Sequence, residues 1–172
     1  MDAEIAVVPA GEIGEGVLAC LCEAVTKSFG RETRVGVPLP DPGYAFNPKR
    51  QQHSARAILE CLPAGNAERV LAVVGQDLYV PSMNFVFGLA DLAGRRALVA
   101  LPRLRDSFYG RRHDEACFRV WVIKEALHEL GHTYGIEHCR DKLCVMAFSN
   151  SLTDTDAKGQ AFCQRCRKRV PV

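Results

Sequence analysis

The sequence predicts a mixed α/β (α+β) fold, and three observations carry the prediction. Strand-like and helical segments alternate along the first hundred residues, a long helical pattern follows them, and no linker divides the chain. A length of 172 residues with 48% hydrophobic and 24% charged residues fits one globular domain with a proper core. Residues 4–9 and 34–37 read as short strands flanking a helical stretch over 16–29, and residues 51–62 read as a second helix. Pro38, Pro40, Pro42, Gly43 and Pro48 mark an irregular loop between them. Residues 69–74 and 96–101 add apolar strands. Asp114 and Glu115 then suit the positive end of a helix dipole, and Val120, Ile123, Leu127, Leu130 and Tyr134 recur at three- and four-residue steps as its packing stripe.

The same helix carries the chemistry. His128, Glu129, His132, Gly135 and His138 form the pattern H-E-x-x-H-x-x-G-x-x-H, which holds three of the five histidines of the chain. At about 100° per residue, His128 and His132 stand one above the other and can meet one ion, with Glu129 rotated toward the adjoining rim. Gly135 can enter the left-handed region, end the helix and turn the chain back so that His138 arrives as a third ligand. Three neutral imidazoles leave the fourth position of a tetrahedral zinc to water, whose pKa zinc lowers toward about 7. A packed helix with incidental histidines is the bland alternative, and it does not account for five matched positions.

Cys139, Cys144, Cys163 and Cys166 form a second constellation, with Met146 two residues after Cys144. H-E-x-x-H-x-x-G-x-x-H-C-x4-C-x-M followed by C-x-x-C resembles the archaemetzincin family of zinc metallopeptidases. Residues 77–81 and 84–88 resemble that family's upstream segment, so the likeness spans about residues 70–168 and is looser before them. The resemblance implies a twisted mixed sheet over an active-site helix (residues 1–135), then a small zinc-stapled C-terminal subdomain (136–172). It makes His128, His132 and His138 catalytic zinc ligands, Glu129 the general base, Met146 the methionine turn, and the four cysteines a structural zinc site. By the same analogy residues 97–101 form the sheet edge bordering the cleft, with Asn84, Phe85 and Phe87 on its rim or in ordinary strand packing. Two departures stand out. Sixteen residues separate Met146 from Cys163, one fewer than the usual gap, and Phe148 lies where some metzincins carry a tyrosine.

Read from chemistry alone, four thiolates in two close pairs suit a closed tetrahedral site that pins the segment after His138 to the C-terminal helix. Disulfides, or a thioredoxin-like redox pair at Cys163 and Cys166, are the other readings, and neither explains Cys139 abutting a histidine ligand. Cys20, Cys22, Cys61 and Cys117 read as core residues, and His53 and His113 as ordinary side chains.

A net charge of +2 gives no reason to expect a nucleic-acid partner, and the basic run over 165–169 reads as a solvated helix end. Residues 1–4 lack a basic leader, and Glu12, Glu15 and Glu23 break up the apolar residues after them, so the expectation is a cytoplasmic protein without a membrane span. The functional expectation is hydrolysis of peptide bonds in a peptide or protein substrate, with two zinc ions per chain. A zinc-dependent nuclease and a zinc-stabilised binding module without turnover stay open beside it.

Overall fold

In the computed structural model, which describes residues 2–63 and 65–171, the main sheet is built around central strands that are apolar on both faces. Its strands are β1 (Asp2–Ala10), β2 (Glu32–Val35), β5 (Ala67–Val74), β8 (Gly88–Ala90) and β9 (Arg96–Ala100), in the order β2-β1-β5-β9-β8. The first four run parallel, and β8 closes the edge antiparallel to β9. Successive side chains point to opposite faces. Leu71 and Val73 therefore join the core under α1 (Glu15–Phe29) and α3 (Glu115–Thr133), while Ala72 and Val74 pack beneath α2 (Ala55–Cys61). Helices on both faces are what the near-continuous apolar run from Val70 to Val74 demands.

A smaller sheet joins β3 (Phe46–Asn47), β4 (Gln52–Ser54), β6 (Leu78–Val80) and β7 (Met83–Val86) in that order, again mixed in direction. Two short helices, α4 (Leu152–Ala157) and α5 (Gln164–Arg167), complete the chain. Among the described residues, no helix is long and apolar enough to cross a membrane.

Two expectations need correction. The helix expected over 51–62 starts only at Ala55, because Gln51 takes a left-handed φ of 54° and Gln52–Ser54 pair as β4. Ser54 then caps α2, its Oγ accepting the Ala57 N–H at 3.3 Å. The strand expected at the sheet edge, residues 97–101, is interior, lying between β5 and β8. The edge is β8, which follows β7 directly and turns back onto β9 through a tight loop held by the Gly94 N–H on the Asp91 carbonyl (2.9 Å) and the Arg96–Asp91 ion pair (2.9 Å). A three-residue strand opening on glycine carries no alternation for a sequence reading to find.

Candidate metal centres

α3 begins at an Asp114 cap, whose carboxylate accepts the Cys117 N–H at 3.0 Å. It ends on Gly135, at φ +74°, in a Schellman turn: the Gly135 N–H donates to the His132 carbonyl at 2.9 Å and the Ile136 N–H to the Gly131 carbonyl at 3.2 Å. Ile136 is buried under that turn, and the chain it redirects brings His138 back to the two helical histidines.

The three rings converge. One nitrogen from each of His128, His132 and His138 lies within 4.8 Å of the others, and the Nε2 atoms of His128 and His132 are 3.1 Å apart. Tetrahedral zinc with Zn–N bonds of about 2.0–2.1 Å separates two nitrogen ligands by about 3.3 Å. His128 Nδ1 donates to the Val145 carbonyl at 2.9 Å and His132 Nδ1 to the Ile136 carbonyl at 2.7 Å. A carbonyl only accepts, so both protons sit on Nδ1 and both Nε2 lone pairs face each other, an arrangement that a shared cation resolves. Burial first, then the Lys158 ammonium, hold His128 well below the usual imidazole range, and burial also lowers His132 and His138. Neutral rings are the state a metal needs.

Glu129 lies beside them, buried. Burial, and then the Glu125 carboxylate, push its carboxyl well above the usual range. The helix sits close under the sheet edge here: a Cβ at Gly88 would stand 2.5 Å from Glu129 Cγ, 2.7 Å from its Oε1 and 2.6 Å from the Leu98 carbonyl oxygen. Met146 lies fully buried below the histidines, and only a glycine at 131 leaves it room, since a Cβ there would fall 2.4 Å from its Sδ.

The sulfurs of Cys139, Cys144, Cys163 and Cys166 also lie within 4.8 Å of one another, and all eight cysteines are free thiols. Cys139 and Cys163 Sγ are 3.8 Å apart, against about 3.8 Å for two sulfurs on a tetrahedral zinc with Zn–S bonds of about 2.3 Å. The Cys163 N–H donates to Cys144 Sγ at 3.3 Å and Arg165 Nη2 to Cys139 Sγ at 3.2 Å. The Cys166 backbone N–H brings the Cys163 thiol down to about 7, whereas burial raises Cys144. The Met146 carbonyl accepts the Cys139 N–H at 2.9 Å, so the two clusters share one loop. Among the described residues, Cys20, Cys22, Cys61, Cys117, His53 and His113 join neither cluster.

The sequence model of Peptidase family M54 matches residues 45–171. The chain belongs to this family. Its relatives are archaemetzincins: that of Methanocaldococcus jannaschii is 38% identical over 99% of this chain and 94% of its own length. The crystal structure of archaemetzincin from Methanopyrus kandleri superposes with a TM-score of 0.86 at 36% identity, covering 98% of this chain and 93% of that one. A zinc-dependent peptidase from Methanocorpusculum labreanum gives 0.83 at 26% identity over 96% and 99% of the two chains. This chain is thus a zinc metallopeptidase with the archaemetzincin fold, acting on peptides or proteins.

Beneath the histidines of this family member lies a buried polar brace that the sequence reading missed. Lys158 Nζ pairs with Glu125 Oε1 at 2.9 Å, both side chains under 5% exposed, and donates to the Ala147 carbonyl at 3.3 Å. Thr155 Oγ1 donates to the same Glu125 oxygen at 2.8 Å, and Lys124 Nζ donates to the carbonyls of Thr155 (3.0 Å) and Asp156 (2.7 Å) at the end of α4. Trp121, Lys124, Glu125 and His128 follow helical spacing on one side of α3, so the helix is buried nearly all round rather than split into a packed and a ligand face. A charged Glu three residues before His128 was a readable signal. Lys158, thirty residues away, had none.

The cleft of the enzyme is a cavity of about 620 Å³ bounded by the three histidines, Glu129, the β7–β8 strip and Phe148. Phe85 and Phe87 line it, Phe87 while also packed in the core, whereas Asn84 does not. The Asn84 carbonyl instead accepts from Arg50 and Gln52, on the small sheet. Phe148 is half exposed, its ring 5.0 Å from that of His138.

Proposed function

We propose that His128, His132 and His138 hold the catalytic zinc, that Glu129 is the general base, and that Cys139, Cys144, Cys163 and Cys166 hold a second, structural zinc. Residues 1–172 then form one catalytic domain, with the C-terminal subdomain beginning at 136. The observation that carries the proposal is the facing pair of Nε2 lone pairs at 3.1 Å, each ring fixed by a backbone carbonyl. The 3.8 Å sulfur spacing supports the second ion. Free thiols grouped as ligands favour a reducing compartment, the cytoplasm.

Zinc in the histidine site supplies Lewis-acid polarisation of the scissile carbonyl and lowers the pKa of water. Glu129, buried and with a raised pKa, takes a proton from the attacking water and returns it to the leaving amine nitrogen. The outer edge of β8 offers main-chain groups to align an extended peptide beside that base. Phe148 has no hydroxyl, so charge on the carbonyl oxygen draws no help from that position.

Metal analysis tests the ligand assignment. Protein purified without added metal is expected to carry two zinc ions, the cysteine-held one resisting chelation longer because a closed site has no exchangeable water. His138→Ala should lose one ion and keep the fold; Cys166→Ser should lose the other and destabilise the chain. One zinc in the wild type contradicts the assignment.

A further inference from the structure

Resting on that reading of the histidine site, we infer that the cleft selects peptides with a bulky apolar side chain beside the scissile bond and rejects acidic ones, with Phe85 and Met83 setting the choice. Two independent observations carry this.

The first is the wall. Phe85 packs edge-on against Phe87 (centroids 5.2 Å, 73°), and the Arg103 guanidinium lies 4.4 Å from its centroid. Arg103 does not line the cavity, and its charge is spent on Asp77 through two bonds of 2.6 and 2.8 Å. The Phe85 ring is thus clamped, and a substrate side chain meets a surface that needs no ordering on binding. Met83 beside it is unbranched and adapts to differently shaped apolar groups. At the mouth, Leu92 is 56% exposed and Phe148 49%, large apolar surfaces left open to solvent next to the histidines.

The second observation is charge. Glu125, Glu129 and Glu137 line the cavity, and among the described residues no lysine or arginine does. Lys158 stands behind the lining with its charge held by Glu125. An acidic substrate side chain lying against the Phe85 and Met83 wall, away from the histidines, therefore finds apolar carbon, loses its hydration and gains no side-chain cation in return. An apolar one gains by burial, and a pocket of this kind discriminates on the order of 10- to 100-fold.

The test is a quenched-fluorescent peptide library, varied at two adjacent central residues, on zinc-loaded wild type, Phe85→Ser and Met83→Lys. Wild type is expected to favour Phe, Leu or Met over Asp or Glu at one position by tenfold or more in kcat/KM. Phe85→Ser should reduce that ratio, and Met83→Lys should raise the share of acidic peptides cleaved. Cleavage without an apolar preference, or with an acidic one, overturns the inference while leaving the peptidase reading intact. If no peptide is cleaved, the peptidase reading fails, and titration of the same labelled peptides onto the zinc-loaded protein decides the inference alone. Tighter binding of the apolar set then supports it, and equal or reversed binding overturns it.

Discussion

Gly88 lies on the exposed edge strand with an ordinary negative φ, so its backbone does not call for glycine; the space above Glu129 does. Any side chain at 88 clashes with both the Glu129 side chain and the Leu98 carbonyl oxygen, and the Glu129 side chain is the part freer to move. Gly88→Ala is therefore expected to lower turnover by about tenfold or more while zinc content holds, since a small misplacement of the base is enough. In a Glu129→Gln background the same substitution should cost little more, because the group it displaces no longer accepts a proton. A double-mutant cycle in kcat measures this, and additive losses contradict the link. At this scale the two clusters were legible in the sequence, because the spacing of histidines and cysteines survives without coordinates, and the structure brings both groups together. Gly88 and Lys158 were not, because what they touch lies far along the chain.

α3 shows how an element can be read correctly in extent and incompletely in environment. Its Asp114 cap, its apolar stripe and its Gly135 stop all follow from local sequence, and the helix ends where they predict. Its second polar face was invisible, since Glu125 finds Lys158 and Thr155 only through α4, a six-residue helix with little pattern of its own. The brace joins α3 to the segment after Met146 through the Ala147 carbonyl. Removing one partner leaves an uncompensated buried charge, so Lys158→Met should cost about 3–5 kcal/mol in denaturant unfolding of the zinc-loaded protein. Lys158→Met combined with Glu125→Leu should recover most of that loss, as replacing both partners of a buried pair often does. A double variant no more stable than the single one would argue that Lys158 acts through something other than Glu125.

Across the whole molecule, the alternation of strands and helices was readable from local segments and the mixed sheet followed from the family resemblance, whereas strand order was not readable, because pairing partners are set by contacts between distant strands. One such long-range tie links β5 to the end of α3: Glu68 accepts from Arg31 at 2.8 Å and from the Tyr134 hydroxyl at 2.9 Å. Burial alone would raise the Glu68 carboxyl, but these hydrogen bonds prevail and lower it below 4.5. A lowered folded pKa contributes stability above the unfolded value and loses it as pH falls through the folded one. Glu68→Gln should thus cost ~1 kcal/mol at pH 7, a gap that narrows in acid as the lowered folded Glu68 carboxyl becomes protonated, as unfolding curves at several pH values would record. The larger claim is that this architecture hydrolyses peptides with Glu129 as the base. Single-turnover cleavage of a peptide library by wild type and Glu129→Gln, at matched zinc occupancy, tests it most directly. A loss on the order of 10² or more is expected, with fold and zinc retained, and equal rates would contradict the role of Glu129.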